Sequence, residues 1–251
     1  MKKYLVLSVL LACCFVSRAY DFSAVAPTGQ TLYYTINSGT NTVTVAYPGI
    51  SGTTPYPSGY TAPTGALEIP ASVTNPNDGT SYSVTSIGSN SFYGCTSLTS
   101  VTIPNSATTI GSSAFSGCTS LASLTIGNSV SSIYNYAFLN CSGLMSVTIP
   151  NSVTTIGNSV FRGCSSLASV TIGDSVSSIG SETFNGCIGL TSMTFNATNC
   201  TTMGSANSPV FSGCTNLTSL TIGEHVTTIP SCAFSGCSGL TSVTIPDSVT
   251  S

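Results

Sequence analysis

Cysteine, histidine and the hydroxyl residues are the side chains here that could hold a metal, cross-link the chain or attack a substrate. Their spacing decides among those chemistries. Of eleven cysteines, seven recur at one place: Cys95, Cys118, Cys141, Cys164, Cys187, Cys214 and Cys237. Each lies three residues after a phenylalanine, namely Phe92, Phe115, Phe138, Phe161, Phe184, Phe211 and Phe234. Every step along this series is 23 residues except Phe184 to Phe211, which is 27. Zinc sites want thiolates and imidazoles clustered at short spacing, whereas this chain has no C-x-x-C pair and a single histidine, His225. No metal and no cofactor is expected. Side chains one repeat apart stack above one another, and a free cysteine packs there as a small apolar group. Stacked neighbours about 5 Å apart also come near enough for an occasional disulfide. Cys200 and Cys232 stand outside the series. Cys232, in Pro230-Ser231-Cys232, is the best placed to expose a thiol.

Catalysis by a hydroxyl needs a base and a group to orient it. His225 sits in Gly223-Glu224-His225-Val226, where other repeats carry Ser106, Ser129, Ser152 and Ser175. A single substitution at a turn is no constellation, and the acids fall at different repeat positions rather than in pairs for general acid and base work. Phosphate-binding and dinucleotide-binding glycine motifs are missing from the sequence. The expectation is a protein that is not an enzyme, with no catalytic residues.

These residues are positioned by a repeat of 23 residues. Leu98–Ser120 reads LTSVTIPNSATTIGSSAFSGCTS, Leu121–Gly143 LASLTIGNSVSSIYNYAFLNCSG, Leu144–Ser166 LMSVTIPNSVTTIGNSVFRGCSS, and Leu167–Gly189 LASVTIGDSVSSIGSETFNGCIG. A period of 20–29 residues carrying L-x-x-V-x-I reads as a leucine-rich repeat with one short strand per coil. In each coil, alternation such as Val101 and Ile103 inward against Ser100 and Thr102 outward is the period of a half-buried strand. The strand ends at Pro104, Gly127, Pro150, Gly173, Asn196, Gly223 or Pro246, since proline lacks a ladder donor and glycine permits a turn. A second inward stretch follows, marked by Ile110, Ile133, Ile156, Ile179 and Ile229. One such unit cannot bury its own apolar face, so stacked coils share a continuous core. Leu190–Asn216 carries a four-residue excess around Asn199–Pro209, the one irregular coil and the first place to look for a selective contact. The last coil stops halfway, as in a truncated piece of a longer protein.

Residues 20–91 do not repeat cleanly. Thr31–Ile36 and Thr42–Tyr47 alternate like a hairpin joined at Asn37-Ser38-Gly39. Leu67–Pro70 and Ser83–Gly88 reproduce the two halves of a coil around an insertion, Thr74–Ser81. This segment reads as an N-terminal cap and first irregular repeat that covers the open end of a sheet, with residues 92–251 forming the solenoid.

Residues 1–19 read as a secretory signal: Lys2 and Lys3, an apolar run from Tyr4 to Val16, and Ser17-Arg18-Ala19 as a cleavage site. A second possibility is Leu10-Leu11-Ala12-Cys13, which resembles a lipobox. Thirteen apolar residues are short for a membrane span, so no transmembrane helix is expected in the mature chain. Cleavage after Ala19 leaves Arg162 as the one basic residue against seven acids, a net charge of −6. Nucleic-acid binding relies on many Lys and Arg side chains neutralising phosphates, and is excluded.

The outward strand positions are uniform. Ser100, Ser123, Ser146, Ser169, Ser192 and Ser219 form one row, and Thr102, Thr125, Thr148, Thr171, Thr194 and Thr221 another. Hydroxyl residues suit exposed strand positions and keep them soluble. The same rows also offer a broad surface to glycans or extended proteins.

The pattern L-x-x-V-x-I-P-x-S-V-x-x-I-G-x-x-A-F-x-G-C over Leu67–Ser251 is similar to the BspA-like leucine-rich repeat of exported surface proteins from host-associated anaerobic bacteria and some protozoan parasites. The resemblance implies a mainly β repeat solenoid: a curved right-handed coil with a parallel concave sheet, short convex turns or helical segments, and a β-rich N-terminal cap. It also implies location at the cell surface or outside the cell and adhesion to host proteins, host cells or other bacteria. Asp174-Ser175-Val176 and Asp247-Ser248-Val249 resemble acceptor sequences for O-glycosylation in such bacteria.

Overall fold

The computed structural model describes residues 19–49, 56, 57 and 59–250. Residues 1–18, where the secretory signal and the lipobox at Cys13 are expected, lie outside the described residues.

The chain begins with three strands, β1 (Phe22–Val25), β2 (Thr31–Ile36) and β3 (Thr42–Ala46), paired antiparallel in order. The β2–β3 hairpin closes at Asn37, whose N–H donates to the Thr42 carbonyl, with Gly39 in the left-handed region that this turn requires. An incomplete coil follows as β4 (Gly65–Glu68), β5 (Ser72–Thr74) and β6 (Ser81–Ile87). The insertion between its halves becomes the β5–β6 hairpin.

From there each coil as far as Asn216 contributes two strands rather than one. The L-x-x-V-x-I segments give β7 (Leu98–Thr102), then after β8 (Thr109–Ile110) β9 (Ser123–Thr125), and after β10 (Ser132–Ile133) β11 (Ser146–Thr148). The same alternation continues as β12 (Thr155–Ile156), β13 (Ser169–Ile172), β14 (Ser178–Ile179), β15 (Ser192–Phe195), β16 (Thr202–Met203) and β17 (Ser219–Ile222). The short Ser/Thr-Ile strands join the N-terminal ones into a ten-stranded sheet, β1-β2-β3-β6-β8-β10-β12-β14-β16 with β5 beside β6. Pairing turns parallel at β3–β6 and stays parallel to β16. The first three strands therefore prolong one sheet of the solenoid. The L-x-x-V-x-I strands make two separate parallel sheets, β4-β7-β9 and β11-β13-β15-β17. Turns close each coil, and no helix occurs among the described residues.

Between the sheets runs the phenylalanine stack. From Phe92 to Phe211 the rings are fully buried, with centroids 4.9–5.5 Å apart and planes within 11° of parallel. Phe234 extends the stack at 5.8 Å. That spacing follows from the separation of paired strands, about 4.8 Å, which sets the rise per coil. Each turn holds the backbone left-handed at two fixed places around the phenylalanine. Two residues after it this is Gly94, Gly117, Asn140, Gly163, Gly186, Gly213 and Gly236; two residues before it are Asn90, Ser113, Tyr136, Ser159, Glu182 and Cys232. In the long coil Pro209 takes the second place, where its ring fixes φ at about −65°. The chain reaches Phe211 there through an excursion closed by a Ser205–Ser208 bridge.

Candidate functional site

The hydroxyl rows meet in strict register. Ser100 pairs with Ser123 and Thr102 with Thr125 on β7 and β9. Ser146, Ser169, Ser192 and Ser219 align across β11, β13, β15 and β17, as do Thr148, Thr171, Thr194 and Thr221. All twelve are exposed or half-exposed, and among the described residues none donates or accepts a side-chain hydrogen bond within the protein. Spacing is about 4.8 Å between strands and about 6.6 Å along each strand.

Other hydroxyl rows behave differently. Thr108, Ser131, Thr154 and Ser177 each donate to a carbonyl of the preceding coil at 3.0–3.2 Å, and Thr191 does so to Ala168. Those hydroxyls clamp coils together, whereas the strand rows are left for solvent or a ligand. Sequence alone gives both kinds of row the same residues.

The strand rows are also cut. β9 and β11 lie side by side without pairing, and one weak bond, from Met145 N–H to the Ala122 carbonyl at 3.4 Å, marks their closed end. The break coincides with a particular order of the residues that follow each strand. Glycine lets a coil settle onto the one before: a Cβ at Gly127 would lie 2.6 Å from the Pro104 carbonyl carbon, and one at Gly173 2.7 Å from the Pro150 oxygen. Where the position carries a donor after a non-proline coil, the N–H reaches back, from Asn196 to Ile172 at 3.1 Å and from Gly223 to Phe195 at 2.9 Å. Pro150 follows Gly127 with a ring in place of that donor. At the same glycine-to-proline order, Gly223 to Pro246, only an isolated Thr221–Thr244 bridge remains. Pro104 above Pro70 keeps its ladder, with a bulge at Gly65/Ala66.

The break opens a cleft of about 590 Å³. Leu124 and Ile126 line it beside Pro150, with Thr125, Ser146 and Thr148 from the hydroxyl rows. Leu124 is half-buried, whereas its counterparts Val101, Val147 and Val170 are covered. No charged side chain lines this cleft.

The cysteine series lies behind the stack. Cys118, Cys141, Cys164, Cys187 and Cys214 each donate S–H to the carbonyl of the phenylalanine one coil back, at 3.1–3.3 Å. All nine cysteines from Cys95 to Cys237 are free. Burial pushes the thiols up: to about 12 for Cys164 and Cys214, about 11 for Cys200 and Cys237, and well above the ordinary range for Cys141 and Cys187. Cys232 is half-buried and sits at a left-handed turn position.

His225 is exposed in a shallow pocket of about 230 Å³ with Asp174, Asn196 and Glu224. Asp174 is already engaged by the Asn151 amide at 3.0 Å and the Ser175 hydroxyl at 2.9 Å. Among the described residues no group of three metal-ligating side chains is brought together. Nor is any helix long and apolar enough to cross a membrane.

Known proteins match this geometry. The chain superposes on the Treponema pallidum leucine rich repeat protein TpLRR with a TM-score of 0.66 and 27% identity, over 83% of this chain and 87% of that one. A leucine-rich repeat protein from Eubacterium ventriosum matches with a TM-score of 0.51 and 28% identity, over 60% of this chain and 40% of that one. The pneumococcal vaccine antigen PcpA shares the fold at 18% identity and a TM-score of 0.50, over 92% of this chain and 71% of that one. No curated protein matches. The BspA type leucine rich repeat region matches in six copies across residues 79–161 and 143–251. With that pattern repeated over most of the chain and built into a parallel solenoid, the protein belongs to the BspA type leucine rich repeat family.

Proposed function

We propose that the chain is an exported, non-catalytic binding scaffold that acts in adhesion, contacting host proteins or other cells through the hydroxyl-lined strand faces. One observation carries this: two rows of Ser and Thr hydroxyls are held in register and left without protein partners, while chemically identical rows elsewhere are spent on joining coils. A rigid face with its hydrogen-bonding groups unused is pre-organised for a partner, so little is lost in ordering it on binding. Export is supported by Lys2-Lys3, the apolar run after them and Ser17-Arg18-Ala19. A second use, contact with glycans of a cell envelope, is favoured by the uncharged lining of the cleft between β9 and β11.

Purified protein applied to immobilised matrix proteins and to whole cells tests the proposal. Binding that falls about tenfold, equivalent to about 1.4 kcal/mol, in a Thr148→Glu, Thr171→Glu variant supports it. No binding across the panel, or binding indifferent to both substitutions, refutes it.

A further inference from the structure

The coil Leu121–Gly143 breaks two local rules within three residues. The first concerns the position after the short Ser/Thr-Ile strand, held by Gly88, Gly111, Gly157, Gly180 and Gly204 but by Tyr134 in this coil; Pro230 takes it after Ile229, where no such strand forms. Glycine is dictated there by close approach. A Cβ at Gly111 would lie 2.6 Å from Ser89 N, one at Gly157 2.7 Å from Asn135 N, and one at Gly180 2.5 Å from Asn158 N. The second concerns the left-handed turn position, non-glycine in the other regular coils too but filled here by the bulkiest side chain of the series, Tyr136 at φ 62°. Neither ring is buried in return: Tyr134 is 51% and Tyr136 43% exposed. Two unfavourable placements that give the core nothing point to a surface use, because sequences depart from local consistency chiefly at functional sites.

The surroundings of Tyr134 indicate its ligand. A groove follows the glycine row along the ten-stranded sheet, floored by backbone because the row lacks side chains. On the N-terminal side of Tyr134 it holds about 380 Å³, with Gly88 and Gly111 below and Ser86, Ser89, Thr109 and Ser112 at its rim. Beyond Asn135 a second hollow of about 360 Å³ lies over Gly157, Gly180 and Gly204, rimmed by Asn158, Ser178 and Ser181. Ser89 and Ser112 have no side-chain hydrogen bond among the described residues. No charged side chain lines either half. An acidic or basic ligand would find no counter-charge, while a flat ring with an apolar face and a hydroxylated edge would find an aromatic wall, bare peptide and hydroxyl partners.

We propose that this groove is a binding site for a neutral glycan chain, with a hexose ring packed against Tyr134 and its hydroxyls bonded to the serine rim. The site lies on a different sheet from the hydroxyl rows, so it stands or falls independently of the adhesive face.

The protein is titrated calorimetrically with neutral tetrasaccharides of glucose, mannose and galactose, with a sialylated tetrasaccharide and a lysine-rich peptide as comparisons. At least one neutral tetrasaccharide is expected to bind. Tyr134→Gly should weaken it about tenfold or more, the scale of a lost aromatic contact, and Tyr134→Phe should keep it within about twofold because the ring face rather than the hydroxyl is used. Tyr134→Gly restores the residue that the row dictates, so its thermal midpoint should equal or exceed that of the parent, separating lost binding from lost folding. Absence of neutral glycan binding, binding by Tyr134→Gly equal to the parent, or binding of the lysine-rich peptide alone would overturn the proposal.

Discussion

At the scale of single residues, burial holds Cys141, Cys164, Cys187, Cys214 and Cys237 as thiols. Cys141, Cys164, Cys187, Cys214 and Cys237 all have folded pKa values above that of an unfolded thiol, about 8.5. Between the two values the unfolded chain holds fewer protons than the folded one, so stability falls as pH rises. The contribution is whole below about pH 8.5, and for Cys164, Cys214 and Cys237 it is lost as pH climbs through 11 to 12. Urea midpoints should therefore drop steadily above pH 9, and Cys→Ala changes in the ladder should flatten that slope. Among the described cysteines of native protein at pH 8, Cys232 should label first, the eight buried thiols reacting only on unfolding; mass spectrometry after timed alkylation reads the order. The inward packing of these cysteines is legible from their spacing with the phenylalanines. Their hydrogen bonds are not, because the acceptor belongs to a residue 26 positions back, or 30 across the long coil.

At the scale of elements, the sequence shows a proline or glycine ending each strand but not what their order does. Proline above glycine at Pro150 over Gly127 interrupts the ladder, and the Ile126 N–H loses the bond that Ile103 makes to Thr125 at 2.9 Å and Ile149 makes to Thr171 at 2.8 Å. The Ile126 amide should exchange with solvent faster than those of Ile103 and Ile149 by about fivefold, since one backbone bond contributes about 1 kcal/mol. Pro150→Asn places at this position the residue that bonds across at Asn196. It should slow Ile126 exchange, raise stability by about 0.5–1.5 kcal/mol and narrow the cleft. Hydrogen exchange followed by mass spectrometry or NMR distinguishes these outcomes. An unchanged Ile126 amide would mean that the proline does not cause the break.

Across the whole molecule, the core is a one-dimensional stack in which each coil touches only its neighbours, so stability is a sum of coil and interface contributions. Phe161 is the middle ring, 5.4 Å from Phe138 and 5.5 Å from Phe184, and fully buried. Phe161→Ala should cost about 3–5 kcal/mol. Because it lies one coil beyond the β9–β11 break, the substitution weakens both supports of the same region. Unfolding should then separate into two transitions in urea where the parent shows one, the N-terminal strands with the first coils melting apart from the rest. A single transition shifted as a whole would show that the ten-stranded sheet, continuous from β1 to β16, couples the halves by itself.

The repeat alone determined the solenoid, its register, the phenylalanine and cysteine ladders and the outward Ser and Thr rows, because each depends only on residues recurring at a fixed period and facing in or out by strand alternation. What stacking decided is everything that depends on a neighbour 23 residues away. The Ser/Thr-Ile segments become a second continuous sheet because they pair between coils. Identical hydroxyls divide into those that clamp coils and those left free, according to which carbonyl lies within reach. A cleft opens where proline meets glycine, and Tyr134 stands out only once the glycines around it are seen to be required by the backbone of the coil beneath.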